Sequence, residues 1–251
     1  MGFRAEQEMT AARRSIARLL GAEQECLYFT SGGTEANNLA IFGSVAAHPR
    51  DGKHIVMTAV EHSSVSEAGD LLEKQGYAVT RIMPQTDGTI AVSDIVDACR
   101  EDTVLVAVML VNNETGARFP IDRAVSSIRR RAPRAHIHCD AVQAAGKLPI
   151  AVTRWGLDSL SASAHKLHGP KGCGVLYLRR GVRVLPRHIG GLQERGVRGG
   201  TEAAPLIAAF GAAVDSLPPY AQQMAHYDDL RRRLLDGLAT LSDVRLHLPP
   251  A

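Results

Sequence analysis

The spacing of apolar positions changes along this chain, and the changes mark out its elements. Met9, Ala12, Ile16, Leu19 and Leu20 recur at helical spacing and Gly21 closes the run, which predicts an amphipathic helix over 5–20. Short apolar runs bounded by turn residues then predict strands at 26–29, 54–59, 77–82, 103–111 and 135–140. The run from Thr103 to Val111 is rich in β-branched residues and suits a strand buried on both faces of a parallel sheet. Between these strands, helical patterns cover 35–47, 63–75 and 93–100, and a helix opened by Pro120 reaches Arg131. The alternation predicts an α/β fold with a mostly parallel central sheet flanked by helices. After Trp155 the pattern changes: strands at 157–163 and 173–178 enclose a polar, Gly-rich segment. Helices follow at 202–217 and 220–241, separated by Pro218-Pro219, and Val244 to Leu248 reads as a further strand.

Composition narrows the class. A chain of 251 residues with 45% apolar and 22% charged residues is an ordinary globular protein that buries its core without disulfides or metals. A net charge of +3 gives no footprint for nucleic acid or an acidic membrane. Cys26, Cys99, Cys139 and Cys173 form no short-spaced pair, which fits free thiols in a reducing compartment. No run reaches the length of a membrane span, and the first residues show no secretory pattern, so a cytoplasmic protein is expected.

Five polar turns follow predicted strands, at the edge where α/β proteins bind ligands. Ser31-Gly32-Gly33-Thr34-Glu35 joins a strand to a helix, and reads either as an anion site at a helix start or as a plain cap. Glu61-His62 and Asn112-Asn113-Glu114-Thr115-Gly116 are each ordinary turns when taken alone. Asp140, at a strand end, suits a carboxylate partner for a protonated pyridine nitrogen or a cap for the next helix. The segment 161–174 packs two His, two Lys and three Gly between strands. A lysine there can form a Schiff base with an aldehyde when burial or nearby cations lower its pKa; the bland alternative is a basic hairpin loop. His136, His138 and Cys139 invite a metal reading, but alternate strand positions face opposite ways, so no metal site is expected. Arg129-Arg130-Arg131 and Arg231-Arg232-Arg233 read as charged helix ends or solvated faces. Arg195 and Arg198 either hold their loop near the anion site or pair with Glu194 in a turn.

Taken together, these stretches resemble the cysteine desulfurases of the class V aminotransferase group, fold-type I pyridoxal-phosphate enzymes. The matching segments are 29–38, Glu61-His62, 111–116, 140–143, 163–172 and 190–201. The resemblance implies pyridoxal 5'-phosphate as cofactor, L-cysteine as substrate, a homodimer, and a sulfur-acceptor protein as a further partner. It implies that Lys166 carries the cofactor and moves protons, and that His62, the second catalytic candidate, stacks on the ring. Asp140 would hold the pyridine nitrogen, Gln143 the ring hydroxyl, and Asn113 a polar contact. Gly33, Thr34, Ser163 and His165 would form the phosphate cup, and Thr201 would reach the phosphate of the neighbouring subunit. It also implies a cofactor domain over 1–204, clipped at its N-terminus, with 205–251 as connecting helices and the start of a small C-terminal domain. The family's sulfur-accepting cysteine and carboxylate-binding arginine have no match here. Cys26 and Cys139 fall in predicted strands, Cys99 ends a predicted surface helix, and Cys173 starts a strand behind the Lys166 loop. Another class V enzyme acting on an amino acid, or a chain that binds the cofactor without desulfurating, are the alternatives.

Overall fold

The computed structural model describes residues 2–244. Seven strands, β1 (Leu27–Thr30), β2 (His54–Thr58), β3 (Ala78–Ile82), β4 (Thr103–Ala107), β5 (His136–Asp140), β6 (Ser159–Ser163) and β7 (Gly174–Leu178), form one sheet. Its order is β1-β7-β6-β5-β4-β2-β3. β2 through β6 are parallel, and β7 runs antiparallel to both β6 and β1. Since β7 alone is reversed, β1 points the same way as β6. The carboxyl ends of β1, β2, β4, β5 and β6 therefore share one edge, which is where the five polar turns lie. β2, β4, β5, β6 and β7 are buried at every position, as expected for strands covered on both faces.

Eight helices accompany the sheet among the described residues: α1 (Gly2–Leu20), α2 (Gly33–Ala47), α3 (Ser63–Lys74), α4 (Val92–Asp97), α5 (Ile121–Arg131), α6 (Val152–Trp155), α7 (Ala204–Asp215) and α8 (Tyr220–Leu238). α2 crosses the sheet at its middle and is buried on most sides, which is why its sequence is apolar with little amphipathic contrast. α7 packs on α1, and its Ile207, Phe210 and Val214 join the main core. α8 buries only Gln223.

Several expectations are corrected. The strand predicted to reach Val111 ends as a regular strand at Ala107; Val108 and Leu110 still donate to the His138 and Asp140 carbonyls of β5, while the Met109 N–H between them is taken by the Glu61 carboxylate at 2.9 Å. Beyond it, Asn112 Oδ1 accepts from the N–H groups of Glu114 and Thr115 and closes the turn. α6 is a single turn, too short to show a period, capped by Gly156 with φ of 77°. Cys99 lies in the core with no exposure, its thiol donating to the Ile95 carbonyl. Cys26 ends a short 3-10 turn (Gln24–Cys26) before β1. Arg129 is no solvated charge; it pairs with buried Asp158 and donates to the Ala135 carbonyl. Val244 falls outside any strand, and 245–248, the rest of the predicted last strand, lie outside the described residues.

One close approach ties the sheet to the turn that begins α2. A Cβ on Gly174 would sit 2.6 Å from the backbone of Gly32, so only glycine lets β7 pass beneath that turn.

Candidate active site

The polar turns meet in one cleft. It is lined by Gly33, Thr34, His62, Asn113, Asp140, Gln143, His165 and Lys166, so eight of the ten candidate residues converge. Ser163 sits just behind the cleft, with its Oγ 2.9 Å from His165 Nδ1. Thr201 is not brought there; it lines a second cleft with Gly172, Cys173 and Arg198.

The floor of the cleft is the start of α2. The first-turn N–H groups have no intrahelical partners and carry the positive end of the helix dipole. A Cβ on Gly33 would lie 2.6 Å from Val142 Cγ2, so the glycine keeps this floor low. Glu35 would oppose an anion here, but its carboxylate is turned aside. It accepts from Ser31 N at 2.8 Å and from Arg198 Nε at 2.8 Å. Burial raises its pKa, yet the Arg198 and Ser31 bonds outweigh burial and hold it below the ordinary value. Arg198 therefore pairs with Glu35, not Glu194. Arg195 donates to the Leu27 carbonyl and stacks on Tyr28, while Glu194 binds Arg13 and Phe29 N. Those bonds hold Glu194 and Arg195 at positive φ, 45° and 55°, a conformation that costs a non-glycine residue of order 1 kcal/mol.

At the opposite wall, Asp140 ends β5 and is 5% exposed. Its Oδ1 accepts from Val142 N at 2.9 Å and its Oδ2 from Asn37 Nδ2 at 2.7 Å. Burial raises its pKa against those two bonds, so a cation presented to it would relieve a desolvated carboxylate. Lys166 ends a 3-10 turn (Ala164–Lys166) after β6 and is half-buried. Lys147 lies in the turn after β5; burial first, and the Lys166 charge second, hold its pKa below the ordinary value. His165 is likewise lowered, by burial first and then by Lys166 and Lys171, which favours the neutral ring.

Sequence reasoning missed Asn37, Ser64, Met109 and Val142, which also line the cleft. It also left Glu61 as an ordinary turn residue. Its Oε1 accepts from Thr58 Oγ1 and Met109 N, its Oε2 has no partner, and burial drives its pKa to about 8. The proton therefore sits on Glu61 in the folded chain at neutral pH. Because the folded value lies above the ordinary 4.5, its stabilising contribution is complete below about 4.5 and is lost as pH rises through about 8. Urea denaturation should show stability falling across this window by up to ~1.4 kcal/mol per pH unit, with a flatter profile in Glu61→Gln. Equal slopes in both proteins would mean that Glu61 is already ionised.

The mostly parallel sheet, with a lysine and a buried aspartate lining one cleft at the start of α2, has the large-domain fold of fold-type I pyridoxal-phosphate enzymes. The whole chain, residues 1–251, matches the aminotransferase class-V family, and the chain belongs to that family. Cysteine desulfurase 2 of Trichormus variabilis is 44% identical over 227 residues, covering 90% of this chain and 56% of the relative. Cysteine desulfurase IscS of Methanosarcina thermophila is 38% identical over 251 residues, covering all of this chain and 62% of the relative. Among solved structures, a NifS-like protein superposes with a TM-score of 0.92 at 33% identity, over 99% of this chain and 68% of that one. DndA from Streptomyces lividans gives 0.90 at 37% identity, over 96% and 69%. The chain thus spans between about half and two thirds of the length of the curated relatives named here. Among the described residues, no helix is long and apolar enough to cross a membrane.

Proposed function

We propose that the cleft holds pyridoxal 5'-phosphate on Lys166 and that the protein is a cysteine desulfurase. The observation that carries this reading is the convergence of Lys166, Asp140 and His62 above the open start of α2. When bound, the cofactor supplies an electron sink for the substrate's α-carbon. The N–H groups at Gly33 and Thr34, with Ser163 and His165, would bind its phosphate. Asp140 would pair with the pyridine nitrogen and keep it protonated, Gln143 and Asn113 would hold polar groups of the ring, and His62 would lie against the ring. Lys166 would hold the aldehyde and carry the proton at the substrate's α-carbon.

The overall reaction moves one sulfur atom. An acceptor thiol and L-cysteine give an acceptor persulfide and L-alanine, with an S–S bond formed and the C–S bond broken. All four cysteines are buried, and burial raises the thiol pKa of each, Cys99 and Cys173 to about 11 and Cys139 well above its ordinary value. None fits a mobile nucleophile, so the first acceptor thiol lies outside residues 2–244 or on a partner protein. The chain's relatives are cysteine desulfurases, which supports L-cysteine as substrate. Buried free thiols fit a reducing, cytoplasmic setting.

A homodimer is part of the proposal. Ile189 and Leu192 are 92% and 87% exposed, on the same loop that carries Thr201 outward, as a subunit contact would require. So is the division into a cofactor domain over 1–204 and a second domain begun within 205–251; α8, with one buried residue, supports a change of environment there.

The protein should be incubated with pyridoxal phosphate, L-cysteine and dithiothreitol as the acceptor thiol, and alanine and sulfide measured. Equal yields of the two support desulfuration. A keto acid formed with an amine acceptor would point to a transaminase instead. Bound cofactor with neither product would favour the reading in which this chain only carries the cofactor.

A further inference from the structure

A continuous buried chain of hydrogen bonds runs from β5 and β6 to His62. His136 Nε2 meets Ser159 Oγ at 2.7 Å, and Ser159 Oγ meets His138 Nδ1 at 2.8 Å. His138 Nε2 lies 3.0 Å from Asn37 Oδ1. Asn37 Nδ2 donates to Asp140 Oδ2 at 2.7 Å and to Ser64 Oγ at 2.8 Å. Ser64 Oγ then lies 2.9 Å from His62 Nδ1. Asn37, His138 and Ser159 are each 1% exposed or less, so water does not compete for these groups.

Donor and acceptor accounting orients every link. Asp140 only accepts when ionised, so the Asn37 amide must turn its NH₂ toward it. Asn37 Oδ1 then faces His138, whose Nε2 must carry the proton. His138 is neutral, since burial lowers its pKa to about 3, so its Nδ1 is a bare acceptor. Ser159 donates to that nitrogen and accepts from His136. On the other branch, the second Asn37 amide proton occupies Ser64 Oγ, leaving the Ser64 hydroxyl proton for His62 Nδ1. The Ser64 backbone N–H points at the same nitrogen at 3.2 Å, capping α3. Two donors therefore converge on His62 Nδ1.

We propose that the His138–Asn37–Ser64 chain is a tautomer lock, which keeps His62 Nδ1 an acceptor and puts the ring proton on Nε2, the nitrogen left for the cleft. Ser64, Asn37 and His138 are positioning residues, and the same Asn37 amide that orients Asp140 also sets the state of His62. The two polar groups that flank the proposed cofactor site are thus set by one side chain. The lock rests on the proposed function only for its use: His62 enters the reaction as a donor through Nε2. Its existence does not depend on that reading.

The test reads the ring directly. Long-range ¹H–¹⁵N spectra of protein labelled at histidine nitrogens, with and without pyridoxal phosphate, give the tautomer; loss of the signal in His62→Gln assigns it. The neutral ring is expected to carry its proton on Nε2 in both states. Ser64→Asp puts a carboxylate against Nδ1 and should move the proton there, whereas Ser64→Thr keeps the hydroxyl and the wild-type pattern. A wild-type proton on Nδ1, or a Ser64→Asp proton still on Nε2, overturns the lock. The wild-type spectrum alone decides if the Asp variant does not fold. With L-cysteine, Ser64→Asp should lose about 10²-fold or more in turnover while still binding the cofactor, with Ser64→Thr near wild type. If no variant or wild-type protein turns over cysteine, the proposed function fails while the spectra still judge the lock.

Discussion

Lys166→Ala is expected to abolish the visible absorbance of protein-bound pyridoxal phosphate and to lower cysteine-to-alanine turnover at least ~10³-fold, combining loss of covalent anchoring with loss of a proton carrier. No neighbouring lysine can stand in. Lys147 feels the Lys166 charge and Lys171 helps to lower the His165 pKa, so both lie nearby, but neither lines the cleft that holds Asp140 and His62. The backbone at Lys166 is set by the bond from Leu167 N to the Ala164 carbonyl and by β6 beneath it, so the variant should fold normally. Unchanged circular dichroism and melting temperature, together with lost absorbance, is the expected pair. A persistent visible band would place the anchoring amine elsewhere.

Asp140→Asn has the second largest expected effect. Asparagine fills the same space but brings no charge, and the variant should lose about 10²–10³-fold in turnover, the typical loss of one fixed electrostatic contact to a reacting group. Cofactor binding should survive, because the start of α2, His165 and Lys166 are untouched. The variant also meets a hydrogen-bonding conflict. Asn37 offers an NH₂ at 2.7 Å and Val142 an N–H at 2.9 Å, and only an ionised carboxylate accepts both. Stopped-flow absorbance with L-cysteine, compared with wild type, measures the loss. Turnover within a factor of two of wild type would show that the Asp140 charge does not act on the reacting group.

Much of this was readable before the structure, for identifiable reasons. The strand-to-helix turns were legible because glycine, proline and polar residues interrupt long apolar runs, and a parallel sheet puts all such turns on one edge. Gly33, Asp140 and Lys166 each stood at a strand end or helix start, where sequence position predicts spatial position. Asn37 did not. It lies inside an apolar helix, and its partners His138, Asp140 and Ser64 come from β5 and the start of α3, so its role exists only in the tertiary fold. A buried polar residue one turn into a helix that opens an anion site was the available clue. Glu61 was hidden for the same reason, since its partner Met109 lies on a different strand connection. Cys99 looked like a surface residue because α4 ends at Asp97 and the following turn folds inward. Thr201 could be matched by motif but not placed, because its loop turns away from the cleft of its own chain.

The central claim is that this cleft carries pyridoxal phosphate on Lys166. Borohydride reduction of the cofactor-loaded protein, followed by peptide mass spectrometry, tests it most directly, because reduction fixes the cofactor to whichever amine holds it. A single reduced adduct on the peptide containing Lys166, absent from Lys166→Ala, is the expected result. An adduct on Lys147 or Lys171 in the wild-type protein, or no adduct at saturating cofactor, would contradict it.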